Sequence, residues 1–388
     1  MTIDLATGLA LRRQQHLYRS RSVINGPQDV ELQCNGKQLL SFCSNDYLGL
    51  ANHPALIQSM QQGAERYGVG SGASHLVTGH SAAHHQLEEA LAEFTQRPRA
   101  LLFSSGYLAN LGVISALATK RDTLHEDRLN HASLIDAARL SDATLRRYPH
   151  IDSDALNKRL AKQGDSNPFI ITDGVFSMDG NIAPLPQLAT AAASHNATLM
   201  VDDAHGIGVI GDHGRGAIEH FNLSLDDVPI LVGTLGKAFG TFGAFVAGSD
   251  ELIETLIQQA RSYIYTTALP PAVAHATLTS LKLIETEAWR REHLQTLIKR
   301  FRDGAQQLGL NLMPSTTPIQ PLIIGDSETA LHISEQLQQQ GVLISAIRPP
   351  TVPEGTARLR ITFSASHTEA HIGQLLSALD SVDKHDAT

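Results

Sequence analysis

Cysteine is scarce in this chain. Only Cys34 and Cys43 occur in 388 residues, too few for a disulfide framework, so two free thiols in a reducing compartment are expected. Long apolar runs are missing as well. No stretch approaches the length of a membrane span, and the first residues, with Asp4 and then Arg12-Arg13, lack the apolar centre of a signal peptide. A cytoplasmic protein is the expectation. Positive charge is in deficit, 30 Lys and Arg against 39 Asp and Glu, for a formal net charge of -9. That balance argues against nucleic acid or an anionic membrane as the main partner, while leaving room for a local basic site for an anionic substrate. No internal repeat, low-complexity tract or disordered linker interrupts the chain. What is present is ordinary for a globular protein: 42% hydrophobic and 18% charged residues, and enough length to bury a large core in one large and one smaller domain.

Strand-like apolar runs alternate with helical patterns, as in a mainly parallel sheet covered on both faces. The clearest runs are Ala100 to Phe103, Phe169 to Ile171, Leu199 to Val201, Ile230 to Val232 and Ala244 to Val246, each ending near a polar or glycine-rich turn. From Pro270 the texture changes to long helical periodicity, with Leu294, Leu297, Ile298 and Phe301 on one face. Strands are expected at Pro321 to Ile324 and Leu359 to Phe363, then a last helix with Ile372, Leu375, Leu376 and Leu379 on one side. Residues 1–45 read as an N-terminal arm, 46–285 as a large domain, 286–388 as a small α+β domain, and Asp383 to Thr388 as a frayed tail.

Two constellations carry chemistry. Lys237 lies in Thr234-Leu235-Gly236-Lys237-Ala238, directly after the apolar run Ile230 to Val232. A lysine crowded by small residues at the end of a buried strand loses its proton more easily than a solvated one, and a neutral amine condenses with an aldehyde. Upstream, the buried run Leu199 to Val201 leads into Asp202-Asp203-Ala204-His205, which puts two carboxylates and an imidazole at a strand's carboxyl end. Open α/β sheets bind ligands there. A lysine that carries pyridoxal phosphate as a Schiff base, and an anion that keeps the pyridine nitrogen protonated, are the pair such an enzyme requires. One rival motif exists: Gly206-x-Gly208-x-x-Gly211 satisfies the dinucleotide-binding pattern of a dehydrogenase. That pattern needs its third glycine to open a helix, and Asp212-His213-Gly214-Arg215-Gly216 follows instead. A Walker phosphate loop fails because Leu231 stands where its first glycine would be. A non-catalytic scaffold is disfavoured by the presence of Lys237, Asp202 and His205 together.

On these residues the chain resembles the α-oxoamine synthase family of fold-type I pyridoxal phosphate enzymes, from about Arg19 to the last helix. The resemblance implies a transferase with a large cofactor domain and a smaller C-terminal domain. It implies Lys237 as the Schiff-base lysine, Asp202 rather than Asp203 at the pyridine nitrogen, His205 at the phenolic oxygen and His131 stacked on the ring. It places Gly106 and Tyr107, in Ser104-Ser105-Gly106-Tyr107, at the phosphate, although the segment also reads as an ordinary strand-to-helix turn. Thr234 is a second hydroxyl for the phosphate. Ser177, otherwise a turn residue before Asp179-Gly180, is a cofactor contact.

Members acylate an amino acid from a thioester with loss of carbon dioxide. An arginine fork suits the amino acid's carboxylate, and the resemblance assigns that role to Arg360, with Asn45 beside the same site and Arg19 and Thr351 at substrate contacts. The segment Ile347 to Pro353, and His75 where relatives using other acyl groups carry arginine, point to the branch that joins L-alanine to a pimeloyl thioester of coenzyme A or acyl carrier protein, in biotin biosynthesis. Ala73-Ser74 departs from the Gly-Ser-Gly of many members of that branch. Glycine C-acetyltransferase is the alternative within the family. A homodimer is implied, with Gly68 to Gly79 and Tyr265 to Pro271 at the subunit boundary, where Tyr265 to Thr267 offer hydroxyls to the partner's phosphate or form a plain loop. His80 and His84 have a helical spacing that suits a metal, but no third ligand is evident; a solvated helix face and no metal are expected.

Overall fold

The computed structural model describes residues 4–162, 164 and 166–382; the expected frayed tail, Asp383 to Thr388, lies outside the described residues. The chain forms two compact units. The larger comprises Leu48–Ser177 and Asn181–Arg291, the smaller Met178–Gly180 with the described parts of Met1–Tyr47 and Glu292–Thr388. Among the described residues, no helix is long and apolar enough to cross a membrane.

The larger unit is built on a seven-stranded sheet. Its strands run, from edge to edge, Arg99–Phe103, Ala244–Gly248, Ile230–Thr234, Thr198–Asp202, Asn167–Asp173, Asp122–Asp127 and Thr144–Tyr148. Ala244–Gly248 is antiparallel to both neighbours, and every other pairing is parallel. The strands at Thr198–Asp202, Ile230–Thr234 and Ala244–Gly248 read as nearly unbroken apolar sequence because helices cover both faces. Asp173 is paired with Asp202, so those two parallel strands end level, and Asp202 is paired with Val232, beyond which that strand continues to Thr234. Two successive antiparallel pairings, Phe103 with Ala244 and Ala244 with Thr234, bring the end of the edge strand to the same side. The core includes Leu101, Leu124, Ile171, Met200, Val232 and Val246 from the sheet, packed with Val113, Ile114 and Leu134 from helices Gly106–Leu117 and Ala132–Leu140.

Two strands of this sheet, Asp122–Asp127 and the edge strand Thr144–Tyr148, have no apolar signature. Asp122–Asp127 (DTLHED) is buried at all six positions, and its two aspartates are held by local partners, while the Glu126 carboxylate oxygens make no hydrogen bond among the described residues. Asp122 accepts hydrogen bonds from the Thr119 amide and hydroxyl and from Asn167 Nδ2. Asp127 accepts from the amides of Leu129 and Ile151.

In the smaller unit, the antiparallel strands Ile319–Gly325, Ala357–Thr362 and Ser345–Ile347 form one sheet. The hairpin Glu31–Cys34 and Lys37–Ser41 forms another with Val342–Leu343. Residues of the N-terminal segment therefore share a sheet with the C-terminal region.

Gly233 has no room for a side chain: a Cβ there would lie 2.5 Å from two ring atoms of buried Phe245 on the neighbouring strand. Gly233→Ala is expected to destabilise the protein by about 1–3 kcal/mol through overpacking, read as a lower midpoint in urea unfolding. An unchanged midpoint would show that the ring yields freely.

Candidate active site

Each element that feeds the site ends at the same edge of the sheet. Ser105 caps helix Gly106–Leu117, its Oγ accepting from the Leu108 amide at 3.3 Å. The first amides of such a helix have no intrahelical acceptor and face outward, toward an anion if one is present. At Gly106 a Cβ would meet nothing within 4 Å, so the space before those amides is open. His131 caps helix Ala132–Leu140, with Nδ1 within 2.7 Å of Ser133 Oγ. Lys237 sits in a tight turn closed by Leu235 N to Gly243 O, 2.9 Å, and Gly240 N to Lys237 O, 2.8 Å. Leu235, Ala238 and Phe239 of that turn are buried, which holds the half-buried Lys237 toward the cavity.

The cavity measures about 210 Å³ and is lined by Gly106, Tyr107, His131, Ser177, Asp202, His205, Thr234 and Lys237. Ser133, Asp173 and Ala204 complete its wall. Lys237 Nζ lies 2.8 Å from His205 Nε2. Asp202, 5% exposed, accepts from Asn110 Nδ2 at 2.6 Å and from the Ala204 amide at 3.1 Å. Asp173 Oδ2 accepts from the His131 amide at 2.9 Å. Burial, and then the neighbouring Asp202, raise the Asp173 carboxyl well above the usual carboxylate range. Packing around the His131 ring pushes its imidazole down; Asp202 opposes this and Lys237 assists it. Tyr107 donates to Asp136 at 2.8 Å, and the Thr234 hydroxyl donates to the Gly243 carbonyl at 3.1 Å. Amine, carboxylate, imidazoles, hydroxyls and an open helix start share one wall, a donor set that suits an aldehyde-bearing phosphate ester with a basic ring nitrogen.

Eight residues singled out from the sequence are thus brought to one cavity. Arg19, Asn45, Thr351 and Arg360 belong to the smaller unit. There Arg360 Nη2 donates to Asn45 Oδ1 at 3.1 Å, and Arg19 Nη2 lies 3.4 Å from Thr351 Oγ1. The sequence reading missed Asn110, Ser133 and Asp173. Asp173 ends a strand built on an apolar run, as Asp202 does, so the signal was available. Asn110, one turn into its helix and wholly buried, carried no signal beyond its polarity.

The glycines of the dinucleotide-like segment serve another purpose. No helix opens at Gly211, and turns continue to the four-residue helix Ala217–His220. Asp203, wholly buried, turns away from the cavity, and a Cβ at Gly174, Gly206 or Gly216 would strike its carboxylate. Its Oδ2 accepts from the Ala217 amide at 2.6 Å. Gly216, at φ +89°, also occupies a backbone region that favours glycine.

Comparison with known proteins decides the family. The class I and II aminotransferase family matches residues 37–379. A protein of Stutzerimonas stutzeri (strain A1501) named 8-amino-7-oxononanoate synthase is 62% identical over 379 residues, covering 98% of this chain and 96% of that protein. This chain belongs to the 8-amino-7-oxononanoate synthase family. A solved 8-amino-7-oxononanoate synthase from Francisella tularensis superposes with a TM-score of 0.77 at 36% identity, over 88% of this chain and 97% of that one. A serine palmitoyltransferase solved with pyridoxal phosphate superposes with a TM-score of 0.93 at 31% identity, over 98% of both chains. The architecture is that of the fold-type I transferases, and the dehydrogenase reading of Gly206 to Gly211 is set aside.

Burial pushes the Asp203 carboxyl from 3.8 up to about 8, against the pull of the Ala217 amide. Between those values the native state holds a proton that the unfolded chain has released, so stability falls as pH rises through the window. Asp203→Asn keeps the shape without that titration. Urea unfolding at the two ends of the window is expected to show a flatter pH dependence for the variant than for the parent. Equal slopes would mean that Asp203 does not carry the proton.

Proposed function

We propose that this chain joins L-alanine to a pimeloyl thioester, giving 8-amino-7-oxononanoate, carbon dioxide and the free thiol in biotin biosynthesis, with pyridoxal phosphate as cofactor. The observation that carries this reading is the pairing of Lys237 Nζ with His205 Nε2, 2.8 Å apart, in the cavity that Asp202 also lines. The 62% identity to a protein named for that activity supports the choice of substrates. Bound pyridoxal phosphate supplies an aldehyde for amines and a cationic ring that accepts a carbanion's electron pair.

The residues present fit that group. Lys237 would hold the aldehyde carbon covalently, and Asp202, fixed by Asn110 and the Ala204 amide, supplies the anion that a protonated ring nitrogen needs. Gly106 and Tyr107 at the helix start, with Thr234 and Ser177, are assigned to the phosphate and ring substituents, His205 to the phenolic oxygen and His131 to the ring face. Once the amine of alanine has replaced it on the aldehyde carbon, the freed Lys237 Nζ would take the α-proton of alanine and later return a proton to the product. His205, hydrogen-bonded to it, orients the amine for both transfers. Arg360 offers a guanidinium fork that matches the amino acid's carboxylate, with Asn45 holding the fork in place. Arg19 and Thr351 are assigned to the thioester substrate.

A product assay offering alanine, glycine and serine, each with pimeloyl-coenzyme A and in parallel with acetyl-coenzyme A, tests the proposal. Alanine is expected to give 8-amino-7-oxononanoate. Preference for glycine with acetyl-coenzyme A would instead favour glycine C-acetyltransferase activity. Lys237→Ala is expected to fold but to form no borohydride-reducible adduct and show no turnover. Asp202→Asn is expected to slow deprotonation of alanine roughly a hundredfold or more, more than Asp203→Asn does.

The working form is assigned as a cytoplasmic homodimer. The segments Gly68 to Gly79 and Tyr265 to Pro271 are tied together, Ala268 N to Ala73 O at 2.9 Å and Ser71 Oγ to Leu269 O at 2.6 Å. They carry Val69, Val77 and Tyr265, which are 83%, 73% and 72% exposed in the isolated chain. Apolar exposure on one tied pair of loops suits burial against a second copy. Light scattering across a dilution series is expected to show a dimer that loses cofactor as it dissociates. A cofactor-saturated, fully active monomer would contradict the assignment.

A further inference from the structure

The proposed chemistry makes no use of a cluster of titratable groups between the turn His75–Gly79 and helix Ala82–Phe94. Its sequence spacing pairs His80 with His84 on a solvated face, and the structure corrects this. His84 is wholly buried and both its nitrogens are engaged: Nδ1 accepts from the Ser81 amide at 3.0 Å, and Nε2 lies 2.6 Å from the Leu269 carbonyl. It caps its own helix and has no lone pair for a metal. The neighbour His85 takes its place, three residues before Glu88 on the same helix face. Glu88 supplies the third group that sequence spacing did not reveal.

One donor atom from each of His80, His85 and Glu88 lies within 4.8 Å of the other two. Two of the three are oriented by further partners. His80 Nδ1 is bonded to His75 Nδ1 at 3.0 Å, and His80 Nε2 lies 3.8 Å from Glu88 Oε2, too far for a hydrogen bond. Glu88 Oε1 accepts from the Leu102 amide at 2.9 Å, which holds the carboxylate and leaves its other oxygen toward His80. His75 is itself fixed by stacking on Tyr263, ring centroids 4.9 Å apart. A ligating imidazole whose second nitrogen is hydrogen-bonded, beside a carboxylate tied to backbone, is the arrangement that tunes metal ligands. The His85 side chain is 66% exposed, and its Nε2 lies 3.4 Å from Glu89 Oε1, an exposed contact that a bound cation would replace.

We propose that His80, His85 and Glu88 bind one divalent transition-metal cation per chain, Zn(II) best, with water in the remaining position. Two imidazole nitrogens and one carboxylate oxygen suit Zn(II) and its borderline neighbours, whereas Mg(II) and Ca(II) prefer all-oxygen shells. Closing the three groups on a common ion would tie the turn His75–Gly79 to the helix that follows it. The ion is structural: Lys237, Asp202 and His205 are not among its ligands, and the cavity they line does not include them.

The test uses untagged holoenzyme cleared of metal with a chelator, titrated with zinc chloride by calorimetry and with cobalt chloride by visible absorption. One Zn(II) per chain is expected, with tetrahedral Co(II) bands that Zn(II) displaces and that magnesium chloride leaves untouched. His85→Ala, at an exposed position, is expected to abolish both signals, and His75→Ala to weaken zinc affinity by about tenfold through loss of the orienting bond. His332→Ala, a change at another exposed histidine, should alter neither signal. Absence of stoichiometric binding, or an unchanged affinity and cobalt spectrum in His85→Ala, would overturn the proposal.

Discussion

Placing the Asp202 carboxylate at 5% exposure removes it from water at a penalty of several kcal/mol unless polar partners replace the lost hydration. Asn110 Nδ2 and the Ala204 amide are those partners, and Asn110 is itself fixed by Ser133 Oγ at 2.9 Å. The rest of the site follows from keeping this one anion in place. Its strand ends level with the strand that carries Asp173, so a second acid is forced close to it. Burial, and then the neighbouring Asp202, raise the Asp173 carboxyl well above the usual carboxylate range. Lys237 and His205 lie a hydrogen bond apart across the same cavity.

A different economy governs Asp203. The next residue along the strand exit points to the opposite side, into space left by Gly174, Gly206 and Gly216. Two of the glycines that imitate a dinucleotide motif or flank it, Gly206 and Gly216, are therefore there for packing around a buried carboxyl, as Gly174 is further upstream. This explains how one tetrapeptide, Asp202 to His205, can present two acids and still offer only one of them to a ligand.

Much of the central sheet was legible because strands buried on both faces must be apolar throughout, as at Leu199 to Val201 and Ile230 to Val232. Asp122–Asp127 was not, since its buried aspartates are satisfied by Thr119, Asn167 and the Ile151 amide, partners that no periodicity reveals. The edge strand Thr144–Tyr148 and the short strands of the smaller unit were hidden for a related reason: half-exposed or two-residue pairings leave too little pattern. At the site, Lys237, Asp202 and His205 stood out because charged residues directly after apolar runs are conspicuous. Asn110 and Ser133 act from within helices, where a buried polar residue looks like any other. The histidines near position 80 misled for the same reason: helical spacing shows which side chains share a face, and burial decides which nitrogens remain available.

The central claim is that Lys237 is the amine that holds the cofactor in the cavity of Asp202 and His205. Borohydride reduction of the holoenzyme, followed by digestion and mass mapping, tests it directly. The account predicts a single pyridoxyl-modified peptide containing Thr234 to Gly240, with the added mass on Lys237. Stoichiometric label on any other lysine, or no label in enzyme that turns over, would contradict it.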